Sequence, residues 1–145
     1  MTQFTIASFN VKNLIGPDSE YYQFQSYTPE EYAWKEDWLA EQINALNADI
    51  IGFQEIFEEG ALKDTIARAD EYGKANNDES QPGRDKRYRK RAIFNHLEYH
   101  DYSKAALAFA PNIHDGEPGH RRPGVAILSR LGFACLLYTS PSPRD

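Results

Sequence analysis

The feature that most limits the fold is a helix start set between two apolar runs. Thr28-Pro29-Glu30-Glu31 carries the signature of a helix N-terminus. Thr28 can satisfy the orphan N–H groups of the first turn, Pro29 suits that turn, and Glu31 completes a capping box. Tyr32, Leu39, Ile43 and Leu46 follow at helical spacing with Trp38 beside them, while Glu36, Asp37, Glu41 and Gln42 fall off that stripe. Asn47 is the expected stop. Ahead of this helix, Gln3 to Val11 reads as a strand, closed by the turn residues Gly16-Pro17-Asp18. Behind it, Asp49 to Gln54 is a short apolar run of the buried-strand type.

Further along the signals are shorter. Leu62, Ile66 and Ala69, after Gly60, suggest a second and shorter helix. Residues 18–27 and 73–92 read as loops, the second an exposed one. Ala105 to Ala110 is a candidate strand ended by Pro111-Asn112, and Gly124 to Ser129 is a clear one. Strands alternating with helices suit an α/β domain in which helices pack on a sheet.

At 145 residues the chain has room for one domain with a sizeable core. A hydrophobic share of 41% with 13% aromatics favours a globular chain over a disordered one. The net charge of −6, with acid concentrated in the first sixty residues, argues against indiscriminate DNA binding over the whole surface. Cys135 is the sole cysteine, so no internal disulfide can form and a reducing compartment is the natural reading. No run reaches the length of a membrane span, and no leader precedes the first strand. A cytoplasmic location is expected.

Two strand ends carry the chemistry. Ser8-Phe9-Asn10-Val11 closes the first strand with a carboxamide, and Ile51-Gly52-Phe53-Gln54-Glu55 closes the second with a carboxylate. If the strands are neighbours, Asn10 and Glu55 emerge at one rim. Such a pair suits Mg²⁺ or Mn²⁺. Mg²⁺ prefers oxygen ligands and is often held by one or two carboxylates while keeping several waters. Glu55 would bind the ion; Asn10 would ligate it as well or orient a phosphate oxygen. Taken singly, both are ordinary loop residues, a turn Asn and a solvated Glu.

Three segments together resemble the endonuclease/exonuclease/phosphatase family: Ser8-Phe9-Asn10-Val11-Lys12-Asn13-Leu14, Ala48-Asp49-Ile50-Ile51-Gly52-Phe53-Gln54-Glu55, and Gly124-Val125-Ala126-Ile127-Leu128-Ser129-Arg130. They stand in the family's order and spacing and cover about residues 4 to 131. The resemblance implies a four-layered α/β sandwich of two packed sheets, here a partial one lacking its C-terminal half, and Mg²⁺-dependent cleavage of phosphate esters. It matches Glu55 to the metal-binding glutamate and Asn10 to the active-site asparagine beside it. The family's later elements are an Asn-x-His strand end, a Gly-Asp-x-Asn turn and a Ser-Asp-His. None appears here, and Asp115-Gly116 and His120 are not in the required contexts. The chain itself is therefore expected to be inactive.

The last eleven residues, Cys135 to Asp145, shift abruptly to Ser and Pro. They read as one translated frame of the DNA adapter used in transposase-based sequencing libraries. On that reading the family domain occupies residues 1–134, 135–145 is a foreign tail, and the natural reading frame continues.

Other candidates have plainer readings. Arg84, Lys86, Arg87, Arg89, Lys90 and Arg91 crowd six cations into eight residues. They offer either a phosphate-tracking patch, which tilts the substrate towards nucleic acid, or a solvated charge run. A non-catalytic module docking a polyanion through this segment is the competing function. His96, His100, His114 and His120 share no metal-ligand spacing and read as surface residues. Arg121-Arg122 offers either a phosphate contact or ordinary exposed cations, and exposure is the expectation. Tyr21, Tyr22, Phe24 and Tyr27 are expected to pack their loop over the first helix or to rim a cleft.

Overall fold

The computed structural model describes residues 3–77, 99–112 and 121–133. In chain order the described regular elements are β1 (Ile6–Leu14), α1 (Pro29–Leu46), β2 (Ile50–Ile56), α2 (Glu59–Asn77), β3 (Ala106–Ala110) and β4 (Gly124–Ser129), with a single 3-10 turn at Tyr22–Phe24. The strands form one sheet in the order β1-β2-β4-β3. β1 and β2 are parallel, which needs a crossover, and α1 is that crossover. β4 runs antiparallel to both β2 and β3. This mixed α/β arrangement is consistent with a partial sandwich of the expected type.

α1 begins as its sequence dictates. Glu31 N–H donates to Thr28 Oγ1 at 3.2 Å, and Thr28 N–H to Glu31 Oε1 at 3.4 Å. At the other end Asn47 turns left-handed, φ 43°, and donates its N–H to Ile43 O at 3.0 Å. The inner face is narrower than the sequence pattern suggests: Leu39, Ala40 and Ile43 are buried, whereas Leu46 and Trp38 are exposed. These buried residues join Ile51, Phe53, Ile56, Leu62, Ile66, Ala126 and Leu128 in one core, so α1 and α2 cover one face of the sheet. Among the described residues no element covers the other face. Ile6 there is 68% exposed, and Val125 and Ile127 are about half exposed.

Two elements depart from their expected bounds. β1 starts at Ile6 rather than Gln3, because Thr5 N–H is taken by Asp49 Oδ2 at 2.9 Å, and it continues past Val11 to Leu14. α2 extends through Asn77 and absorbs the first part of the segment expected to loop out. The short-helix expectation failed because the last turns carry no apolar stripe of their own and pack through a small residue: Gly73 lies beneath Tyr99, where a Cβ would come within 2.6 Å of Cε1. The rest of that loop lies outside the described residues, as do the six-cation run at 84–91 and the tail at 135–145.

Arg130 ties the lower edge together, with a side chain 11% exposed. It donates to Asn47 O at 3.2 Å, to Asn47 Oδ1 at 2.8 Å and to His100 O. Its guanidinium lies 4.1 Å from the Tyr102 ring centroid and 3.6 Å from Asp49 Oδ1. Beside it, Asp70 Oδ1 accepts from Tyr99 Oη at 2.6 Å and Tyr102 N–H at 3.0 Å. One arginine thus joins the α1 terminus, the start of β2, the end of β4 and the 99–105 segment. Among the described residues no helix is long and apolar enough to cross a membrane.

Candidate active site

The site is built by two coincident breaks in strand pairing. Along β2, Ile51 and Phe53 face the helices and are fully buried. Strict alternation would send Glu55 the same way, at the high cost of an unpaired charge in an apolar core. Instead Gln54 pairs with Val125 and Ile56 with Gly124, which leaves Glu55 as an extra, bulged residue at φ 65°. The bulge restores Ile56 to the core and turns the carboxylate outward, the re-aiming that strand bulges provide. β1 breaks at the same level. Asn10 pairs with Gln54 and Leu14 with Ile56, and between them Lys12 (φ 56°) and Asn13 (φ 57°) are both left-handed. Asn is one of the few non-glycine residues that visits this region readily; lysine is not.

The bulges bring the two strand ends together. Asn10 Nδ2 donates to Glu55 Oε1 at 3.0 Å, and Asn13 N–H donates to Glu55 Oε2 at 3.1 Å. Lys12 N–H donates to Asn10 Oδ1 at 2.8 Å, which fixes the orientation of the carboxamide. Asn10 is exposed and Glu55 half-buried. The Lys12 carbonyl accepts in turn from Lys35 Nζ of α1 at 2.6 Å and from Tyr27 Oη at 3.3 Å. Burial holds the Lys35 ammonium below the usual lysine range, Lys12 repels it further, and Glu55 opposes both. Burial likewise pushes the Tyr27 phenol upward, its hydrogen bond with Tyr21 and the Glu31 and Glu55 charges adding to the shift. Both side chains thus feel the Glu55 carboxylate.

A carboxylate has about four acceptor positions, and two are used here. Among the described residues, one lone pair on each Glu55 oxygen and one on Asn10 Oδ1 stay available, at a rim where Glu55 is half-buried and Asn10 exposed. That donor set fits a hydrated hard cation held by a single carboxylate. It is not a closed cage: among the described residues no group of three or more His, Cys, Asp or Glu side chains is placed to hold a metal.

A second layer lies on the same rim. Because β4 is antiparallel to β2, the segment before Gly124 returns to the level of Glu55. Arg121 is not simply exposed, as expected from its sequence, but donates Nη2 to Phe57 O at 3.1 Å, with Nη1 3.7 Å from Glu58 Oε1. Glu58 Oε2 accepts from Gly16 N–H at 3.2 Å. Tyr21 and Tyr27 stack with centroids 5.5 Å apart, and Tyr21 packs on Phe57 and Ile15, so this loop folds onto the rim. Tyr22 and Phe24 point outward.

Sequence reasoning missed Lys35, although a signal was present: it stands at the stripe position between Tyr32 and Leu39, where a cation is out of place. The Lys12 and Asn13 amides gave no signal, since main-chain donors are shared by every residue. Of the histidines, His100 is exposed and offers its carbonyl to Arg130; His96, His114 and His120 lie outside the described residues. Asn112-Ile113-His114 does spell an Asn-x-His tripeptide, but ahead of Gly124 rather than after it. Asn112 spends its Nδ2 on Pro123 O at 3.2 Å.

Residues 7–145 match the model of the Endonuclease/Exonuclease/phosphatase family. No curated protein and no solved structure gives a significant match.

Proposed function

The chain belongs to the endonuclease/exonuclease/phosphatase family, whose members are in general metal-dependent phosphoesterases, and from this we propose that it is part of a hydrolase of phosphate esters with Glu55 as metal carboxylate. The observation that carries the reading is the joint hold on Glu55 by Asn10 Nδ2 and Asn13 N–H, at 3.0 and 3.1 Å. Two donors aimed at one half-buried carboxylate fix its direction. Asn10 acts through the same contact: with Lys12 N–H on its carbonyl, it presents one free lone pair to the ion or its NH₂ group to a phosphate oxygen. When bound, Mg²⁺ or Mn²⁺ supplies Lewis-acid polarisation of the phosphoryl oxygen and neutralises the leaving group, in support of in-line attack by water.

The residues that position the water and clamp the phosphoryl group belong to the family elements missing from this chain. We propose that these 145 residues bind the ion without turning over substrate, that residues 1–134 are the family's share of the chain, and that 135–145 are foreign to it. Manganese binding followed by electron paramagnetic resonance tests the site. One Mn²⁺ is expected per wild-type chain and none for Glu55→Gln, with no hydrolysis of bis(p-nitrophenyl) phosphate by either. Equal binding by wild type and variant overturns the site, and turnover by the wild type overturns the inactivity.

A further inference from the structure

The Glu55 site depends on a stretch of backbone that Lys12 does not favour. Lys12 and Asn13 are successive left-handed residues without a glycine. Such a pair persists only where its surroundings over-determine it. Three contacts do so from the N–H side and the far side: Lys12 N–H to Asn10, Asn13 N–H to Glu55, and the Lys12 carbonyl. The carbonyl is the contact the site residues do not supply. It carries two donors from elsewhere in the fold, Lys35 Nζ at 2.6 Å and Tyr27 Oη at 3.3 Å. Lys35 reaches it from the helix that links the two strands, its ammonium 5.4 Å from the Tyr27 ring centroid.

We propose that Lys35 is a positioning residue for the Glu55 carboxylate. It anchors the Lys12 carbonyl and so keeps the Lys12 and Asn13 N–H groups aimed at Asn10 and Glu55. This rests on the reading of Glu55 as the metal carboxylate. A hydrogen bond to an ammonium is about twice as strong as a neutral one, so Lys35 is the stronger of the two anchors and Tyr27 the weaker. Without Lys35 the 12–13 segment relaxes towards extended backbone, both N–H groups leave the pair, and Glu55 loses its fixed direction.

The sign of the metal effect separates this role from the obvious alternative. A cation near a metal site repels the metal, so a purely electrostatic Lys35 predicts that its removal tightens Mn²⁺ binding. An anchor predicts that removal weakens it, as loss of supporting contacts around metal ligands does. The test uses the full chain at micromolar concentration and the variants Lys35→Met, Lys35→Arg, Tyr27→Phe and Glu55→Gln. In the metal-free chain, hydrogen exchange of the peptide spanning 11–14 is expected to quicken about tenfold in Lys35→Met and less in Tyr27→Phe, with α2 peptides unchanged. Mn²⁺ is expected to bind roughly tenfold more weakly to Lys35→Met and near normally to Lys35→Arg. Unchanged exchange at 11–14, tighter Mn²⁺ binding in Lys35→Met, or a uniform rise in exchange across the chain overturns the anchor. Equal Mn²⁺ binding by wild type and Glu55→Gln sinks the metal reading instead, and the exchange experiment still decides the anchor.

Discussion

Replacing Arg130 by methionine removes the tie at the lower edge and keeps most of the side chain's packing. The guanidinium donates to three neutral acceptors, on Asn47 twice and on His100. Hydrogen bonds to a charged group contribute about 1.5–3 kcal/mol each, though not additively within one network. Stacking on Tyr102 at 4.1 Å adds roughly 1 kcal/mol. Against this, the variant escapes the cost of keeping a cation at 11% exposure, and Nε is buried without a partner among the described groups. The Asp49 contact at 3.6 Å is minor, because Asp49 keeps its bond from Thr5 N–H. The balance is a loss of about 3 kcal/mol, in the range found when one partner of a buried charged network is removed. Urea unfolding followed by far-ultraviolet circular dichroism measures it. With a slope of about 2 kcal/mol per molar, the midpoint is expected to fall by about 1.5 M. A loss below about 1 kcal/mol, the range of an ordinary point change, would refute the account of Arg130 as the tie between α1, β2 and β4.

The remaining expectations are simpler. Gly124→Ala places a Cβ against the Ala110 carbonyl and 2.9 Å from Pro111 Cα, both main chain, so the β3–β4 pairing is expected to lose about 1–3 kcal/mol in the same urea assay; a neutral result would show that the strands can part. Burial first, with Asp70 and Asp49 adding and Arg130 opposing, pushes the Tyr102 phenol up to about 12 from 10.0. A raised folded-state value means stability that is complete below pH 10 and lost as pH climbs towards 12, by about 1.4 kcal/mol per pH unit for each such group; a wild-type and Tyr102→Phe pair with identical alkaline slopes contradicts this. The sheet face carrying Ile6, Val125 and Ile127 is expected to make the chain self-associate at high concentration and to broaden its melts there, while dilute samples unfold cooperatively. Sedimentation should show less association for Ile6→Thr/Ile127→Thr, and a sharply melting wild-type monomer at high concentration would count against it.

Local energetics explain what could be read without coordinates. The Thr28 capping box, the Asn47 stop and the period of α1 concern groups within four residues of one another, so their residues alone determine them. The strand character of β2 and β4 was equally legible, whereas Asn10, read as closing the first strand, lies in the middle of β1, which runs on to Leu14. The extent of α2 was not, since its last turns are held by Tyr99 above Gly73 rather than by an apolar period of their own. Nor was the inward placement of Arg121, which depends on β4 running antiparallel to β2.

The residue string by itself determined the order of elements, the capped crossover helix, and the amide and acid of the candidate site. The fold alone decided that those two meet. Pairing β1 with β2 and inserting β4 beside β2, ahead of β3 in space, are contacts between distant segments whose energies no short window contains. The bulges follow from that pairing: only when Ile56 must return to the core does Glu55 become the extra residue, and only then do the Lys12 and Asn13 amides turn towards Asn10 and Glu55.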